Sequence, residues 1–402
     1  MTPPPVPIVD LADLGFEEGA HLLVRRALKH LPPGAELGVT GGDQALPDQL
    51  RTWCRKLGHH VRLPDDGDAN VRAWVVRGSA DLDRWTQAQR AGGATPDGIV
   101  PRADPSWGLA ARGALVEPGG PVPPFDLIDR DLVWADIAPG LYTSAVAAQW
   151  NPDVVIQWDA EFTLPDEIER AVVQVMTYLV ENKQAALVVL ARLLGRIHPH
   201  FREVQQLLAV QIADEARHLE VFSRRALLKG GVLGTSSVSG RESLGTLLAE
   251  PDFSLASFLL SVLGEGSFLN LLSFLDRHAP DPVTRQVTRL TRQDEARHVA
   301  FGVAHLQHQA AVDPALRGRL RTVVERRHEA LAGTGGMNED VFEALVTLAA
   351  GEWTPAAIGR GHEKVRLLQR EMYEGRRHRL IRLGFPANEA AELSSLHTRN
   401  LM

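Results

Sequence analysis

Apolar positions recur with the helical period through two long stretches of this chain, Glu167 to Leu194 (EIERAVVQVMTYLVENKQAALVVLARLL) and the run FLLSVLGEGSFLNLLSFL at 258–275. Each stretch predicts a helix with a broad buried face. Each is followed by a proline-marked turn, His198-Pro199 and Pro280-Asp281-Pro282, and then by a second helical pattern. Proline cannot continue a helix, so two antiparallel helical hairpins are expected. A Gly- and Ser-rich crossing from Gly230 to Pro251 joins them.

The front of the chain has a different rhythm. Short β-type runs (VPIVDL, ELGVTG, HHVRLP, AWVVRG) alternate with helical patterns at Glu18 to His30 and Leu46 to Leu57, predicting a βαβαββ domain over 1–78. Residues 79–124 turn rich in Pro and Gly, the mark of an irregular linker after one short helix. The segment 125–158 carries Trp134, Tyr142, Trp150 and Trp158, expected to pack on the bundle and wall a substrate pocket. Beyond the bundle at 125–312, residues 313–402 predict three further helices with basic faces, expected to cover the bundle or join a second subunit. The fold class expected is multidomain α+β: a small two-layer βαβαββ amino-terminal domain, then an all-α four-helix bundle with extra carboxy-terminal helices.

The chemistry sits in a repeat. Asp-Glu-Ala-Arg-His occurs at Asp214 to His218 and again at Asp294 to His298, each within a helical pattern. Residues three apart share a helix face, so Glu215 with His218, and Glu295 with His298, each present an oxygen and an imidazole nitrogen in one direction. One Glu-x-x-His is usually a surface pair. Two identical copies, each preceded at hairpin distance by a Glu among apolar residues, Glu181 and Glu265, fit the arrangement in which four inward carboxylates and two histidines hold two metal ions. Glu181, Glu215, Glu265 and Glu295 bring four negative charges that two divalent cations cancel, with His218 and His298 neutral, so the cluster can be buried. Hard oxygens, two imidazoles and no thiolate suit iron or manganese rather than structural zinc. Two Fe(II) ions are the first expectation, with a manganese and iron pair as the alternative.

Other residues take supporting roles. A ligating imidazole needs a partner for its second ring nitrogen, so Asp214 is expected to receive the proton of His298, and Asp294 that of His218. Ion pairs with Arg217 and Arg297 are the competing use of these aspartates. Tyr178, one turn before Glu181, is placed near the cluster as a hydrogen-bond donor or redox-active residue, with plain core packing as the competing reading. His305 and His308 are read as surface or supporting residues beyond ligand reach. Gly264 and Gly266 bracket Glu265 inside a helix, which predicts space beside the metals, a local bulge or close helix packing.

On these six ligand positions the chain resembles the ferritin-like superfamily of carboxylate-bridged di-iron proteins, specifically its oxygen-activating branch, over about Asp153 to Gln309. The resemblance implies a di-iron oxygenase or oxidase that uses dioxygen as cosubstrate to hydroxylate, desaturate or N-oxygenate a small organic substrate, with Glu181, Glu215, Glu265 and Glu295 as the catalytic carboxylates. Two specialisations lack their signatures. Where radical-carrying reductase subunits have a tyrosine one turn after the first motif histidine, this chain has Phe222; where arylamine N-oxygenases have a third histidine, it has Thr291. The stretch VDLADLGFEEGAHLLVRRALKHLPPGAELGV resembles the TusA-type sulfur-carrier domain, but Glu17 stands at the carrier cysteine's position and Cys54 falls in the second helix. A docking or regulatory role is therefore expected of this domain. The competing reading of the whole chain is a non-catalytic metal or oxygen sensor signalling through it.

Composition adds limits. The 402 residues allow several domains. The single cysteine excludes an internal disulfide and a thiolate cluster, and fits a cytoplasmic setting. A net charge of −7 disfavours nucleic acid as partner. No secretory signal pattern opens the chain, and no uncharged run of membrane-spanning length is evident, so no membrane partner is expected. The remaining partners expected are an electron-donor protein or small reductant and a second copy of the chain.

Overall fold

The computed structural model describes residues 6–64, 70–332 and 339–396; residues 1–5 and 397–402, parts of the first and last regions above, lie outside the described residues. The chain divides into two compact units, Met1–Ala91 with Gly113–Pro121, and Gly92–Arg112 with Val122–Met402. Composition had suggested a linker over 79–124; the structure instead assigns the middle of that stretch to the helical unit. Arg112 explains why: its guanidinium is buried against Glu203 (2.5 Å) and the His200 carbonyl (3.1 Å).

The first unit runs β1 (Ile8–Asp10), α1 (Ala20–Lys29), β2 (Glu36–Thr40), α2 (Leu46–Leu57), β3 (His60–Arg62) and β4 (Ala73–Val76). Its sheet order is β1-β2-β4-β3, with β1 parallel to β2 and β4 antiparallel to both neighbours. Val24, Leu28, Val39, Leu50 and Val75 form its core together with Cys54. Burial pushes the Cys54 thiol up to about 12, which leaves it without the thiolate that sulfur chemistry requires. A short helix, α3 (Ala80–Arg84), and a ribbon of β5 (Gln89–Arg90) with β6 (Leu115–Val116) complete the unit.

The second unit is helical. Two short helices, α4 (Ala138–Ala147) and α5 (Pro152–Val155), precede the hairpin of α6 (Asp166–Leu194) and α7 (Arg202–Leu227). The crossing contains α8 (Val238–Leu248) and leads through α9 (Phe253–Ser257) and a π-helical segment (Phe258–Glu265) into α10 (Gly266–His278), which pairs with α11 (Pro282–Val312). Gly302 of α11 lets the hairpin close, because a Cβ there would lie 2.5 Å from Ser261 Cβ in the π segment. Among the described residues four helices follow where three were expected: α12 (Leu316–Ala332), α13 (Glu339–Ala350), α14 (Pro355–Arg382) and α15 (Ala387–Leu396). The break before α15 is Gly384, at φ +87°, followed by Pro386. Among the described residues one stretch, Phe253–His278, is long and apolar enough to cross a membrane although it contains Glu265; 78% of its most apolar window is buried inside the unit.

Candidate metal centre

Three helices and the π segment aim ionisable side chains at one point. On α6 the residues Val172, Met176, Leu179, Lys183, Ala186 and Leu190 are all buried and follow one another at three- and four-residue steps. This is the stripe that faces the neighbouring helices, and its polar member is Lys183. Glu181 lies two residues earlier, roughly 200° around the helix axis. It is half-buried and makes no hydrogen bond or ion pair with the cluster among the described residues. Glu181, expected as a ligand, is not among the four residues that the structure brings together, and the α6 group that reaches the cluster is the ammonium of Lys183. Helix α6 is apolar on so many sides that its sequence did not reveal which side turns inward.

The other ligand candidates converge. Glu215, Glu265, Glu295 and His298 each offer an atom within 4.8 Å of the others, and all four are buried. His298 Nδ1 lies 3.1 Å from Glu215 Oε1 and 3.7 Å from Glu265 Oε1. His218 Nδ1 is 3.2 Å from Glu295 Oε1 and 4.0 Å from Glu215 Oε2. Lys183 Nζ pairs with Glu295 and lies 3.1 Å from Glu215 Oε2. Both oxygens of Glu265, Glu295 Oε2 and the Nδ1 atoms of both histidines are buried without a hydrogen-bond partner. Orphaned buried polar atoms of this kind are costly unless an ion takes them up. The Glu265 and His298 side therefore fits a hard divalent cation, whereas the Glu295 oxygen beside His218 Nδ1 is paired with the ammonium of Lys183.

A second layer orients the imidazoles. His218 Nε2–H donates to Asp294 Oδ2 (3.0 Å) and His298 Nε2–H to Asp214 Oδ2 (3.3 Å), the crossed pairing expected from the repeat. The arginine pairing occurs as well: Arg217 binds Asp214 and Asp294 (2.9 Å to the latter), and Arg297 does the same from the other side. Trp150 Nε1–H donates to Asp294 Oδ2 (2.8 Å) with its ring under Arg217 (4.6 Å), and Gln149 Nε2–H donates to Asp214 Oδ1 (2.9 Å). Charges follow the contacts. Burial alone would raise Glu295, but Lys183 and the two histidines hold its carboxyl well below the usual range. Burial raises Glu265, which the Glu295 and Glu215 charges reinforce against His298. Burial opposes the charge on Lys183, but Glu215, Glu295 and Glu265 outweigh it and its pKa is raised. Burial would lower both histidines; for His218 the Asp294 and Glu295 contacts win, and for His298 those to Asp214, Glu215 and Glu265, so both are raised.

These outer contacts carry an expected result. Asp294→Asn keeps the side-chain shape but removes the charge that holds His218, Trp150 and both arginines. Metal affinity is expected to fall about 10- to 100-fold, checked by titration of the metal-depleted protein; an unchanged affinity would show that the aspartate only pairs with the arginines.

Glu265 arrives by a different device. It is the last residue of the π-helical segment, whose wider turn rotates the side chain relative to an α-helix. Arg379 of α14 donates from Nε to the Val262 carbonyl (2.8 Å) inside that segment. Gly266 makes room for it, since a Cβ there would overlap the guanidinium. Gly266→Ala is accordingly expected to displace Arg379 and cost about 1–3 kcal/mol, seen as a lower urea midpoint at unchanged slope; a stability equal to wild type would remove Arg379 from this role.

Several residues stand elsewhere than the sequence suggested. Tyr178 is buried beside Phe268 (ring centroids 6.0 Å), with burial raising its pKa, and makes no hydrogen bond to the cluster among the described residues. His305 is fully buried rather than at the surface, held between Ser254 Oγ and the Trp134 carbonyl (3.0 Å each). His308 is half-buried and pairs with Asp131 (2.9 Å). Sequence reading overlooked Lys183 and Gln149 and gave Trp150 a place in packing or in a pocket wall, not a hydrogen bond to Asp294. The step pattern from Val172 to Leu190 was the available signal for Lys183; for Gln149 and Trp150, which come from the loop after α4, the sequence carries none.

No family model and no curated relative matches the sequence. Solved structures do. A protein with aldehyde deformylating oxidase activity from Synechococcus is 18% identical, covering 57% of this chain and 96% of its own, with a TM-score of 0.42. A point mutant of an R2-like ligand-binding oxidase with an aerobically reconstituted Mn/Fe cofactor is 19% identical, covering 64% and 92%, with a TM-score of 0.45. The R2-like ligand-binding oxidase from Sulfolobus acidocaldarius is 15% identical, covering 60% and 91%, with a TM-score of 0.41. These solved neighbours are described as oxidases or as having oxidase activity.

Proposed function

We propose that this protein is a metal-dependent, dioxygen-using oxidoreductase acting on a small apolar substrate. The observation that carries the reading is the set of buried, unpartnered oxygens and imidazole nitrogens of Glu265, Glu295, His218 and His298, converging where no hydrogen-bonding group satisfies them. Their hard character favours iron, with manganese as the alternative. An iron ion held there would supply dioxygen reduction. Glu215, Glu265 and Glu295 would anchor it as charged ligands, His298 as a neutral one, and Asp214 would keep the His298 tautomer that leaves Nδ1 free to bind.

The surroundings agree with this chemistry. A cavity of about 30 Å³ opens beside Glu265 and Lys183, lined by Leu259, Leu263, Gly264 and Phe268. That is space for one or two molecules the size of water or dioxygen; its walls are mostly apolar, with Asn182 and Arg327 as further polar members, which favours a largely apolar substrate entering by side-chain displacement. Electrons must come from outside the chain, so an electron-donor protein or a small reductant belongs to the proposal. We place this activity in the cytoplasm, with the first unit docking a partner or a second copy.

Oxygen uptake tests the reading. Protein loaded with Fe(II) without air and then mixed with aerated buffer should consume oxygen in proportion to bound iron, and Glu265→Ala should not. Bound iron without oxygen uptake, under any reductant, would sink the oxidoreductase and favour the sensor.

A further inference from the structure

The lysine in the centre changes how many metal ions it can hold. Lys183 stands on the α6 stripe at the place from which that helix would deliver a ligand, and it is 2% exposed. Its Nζ reaches Glu215 on α7 and Glu295 on α11 together, the two carboxylates that approach from facing helices. Beside that ammonium the cluster still offers donor atoms for one cation, one each from Glu215, Glu265, Glu295 and His298, within 4.8 Å of one another.

Charge counting separates the possibilities. Asp214 and Asp294 are matched by Arg217 and Arg297, so the outer layer is neutral. Inside, three glutamates face one ammonium, leaving two negative charges. One divalent cation with neutral imidazoles cancels them. Two divalent cations would leave the centre with two uncompensated positive charges beside a fixed ammonium, which a site this buried does not stabilise.

We infer that this is a one-metal centre in which the ammonium of Lys183 takes the place of a second metal ion. A single divalent cation is held by Glu215, Glu265, Glu295 and His298; Lys183 bridges Glu215 and Glu295; His218 remains an imidazole hydrogen-bonded to Asp294. The inference rests on reading the cluster as a metal centre and concerns only its occupancy. Lys183 is a positioning residue here: it sets the separation of the two shared carboxylates and excludes the second ion.

The test counts ions in the full chain. Metal-depleted protein is titrated with Mn(II), the tightly bound ions per chain are measured by elemental mass spectrometry, and electron paramagnetic resonance distinguishes an isolated ion from an exchange-coupled pair. Wild type should hold one ion with the isolated spectrum. Lys183→Glu, which restores a carboxylate at the same stripe position, should hold two with the coupled spectrum. Two tightly bound, coupled ions in wild type would overturn the inference and leave the metal reading intact, whereas no bound ion would overturn both. A folded Lys183→Glu that stays at one ion also overturns it. Should that variant not fold, the wild-type count and spectrum decide alone.

Discussion

Glu295→Ala should strip the centre of its metal. Glu295 is the carboxylate on which the whole cluster meets: it pairs with Lys183, lies 3.2 Å from His218 Nδ1, and belongs to the four-residue set with Glu215, Glu265 and His298. Removing it deletes one ligand and one of three inner negative charges, while Lys183 keeps its charge and loses a partner. Affinity is expected to fall by about 100-fold or more, beyond what loss of a second-layer partner produces. Calorimetric titration of the metal-depleted variant measures this directly. The metal-free variant should also be less stable than metal-free wild type, because a buried cation is left underpaired. Wild-type affinity in a folded Glu295→Ala protein would remove Glu295 from the site.

The second large effect is structural. Arg225 of α7 is fully buried and donates to Glu169 of α6 (2.6 and 2.9 Å), to Asp281 (2.8 Å) and to Thr284 Oγ1 (2.8 Å). Asp281 in turn caps α11, accepting from the Thr284 backbone N–H (2.8 Å). One guanidinium thus joins three of the bundle helices at the end of each hairpin. Arg225→Met preserves much of the volume but leaves the Asp281 carboxylate buried with no cation, which is expected to cost about 3–5 kcal/mol. A urea denaturation series would show the lowered midpoint. Adding Asp281→Asn in that background should recover part of the loss, because it removes the stranded charge; strictly additive destabilisation would mean that the two residues are not coupled.

How far the sequence reached is clearest on α7 and α11. The two Asp-Glu-Ala-Arg-His copies placed Glu215, His218, Glu295 and His298 on inward faces, and even the crossed bonds to Asp214 and Asp294 followed from the need to orient a ligating imidazole. Glu265 also stands where its apolar context and flanking glycines suggested, although its approach depends on a π-helical turn whose satisfying partner, Arg379, lies over a hundred residues away. Helix α6 was misread. Tyr178, Glu181, Asn182 and Lys183 sit within two turns of a helix buried on several sides, and charge in an apolar setting pointed to the glutamate when the lysine was the buried one. The loop after α4 was legible only as aromatic packing, and Gln149 and Trp150 acquire their role from aspartates far along the chain.

By itself, then, the sequence determined the local geometry: a helical period, two repeated motifs, and the three-residue spacing that puts an oxygen and an imidazole on one face. Backbone dihedrals set those relations without help from the rest of the chain. The tertiary structure decided the phase of α6, the winding at Glu265 and the counter-charges around the aspartates. Each of these depends on which surfaces pack together, and a two-residue change of phase, worth about 200° of rotation, separates a glutamate ligand from a lysine at the heart of the centre.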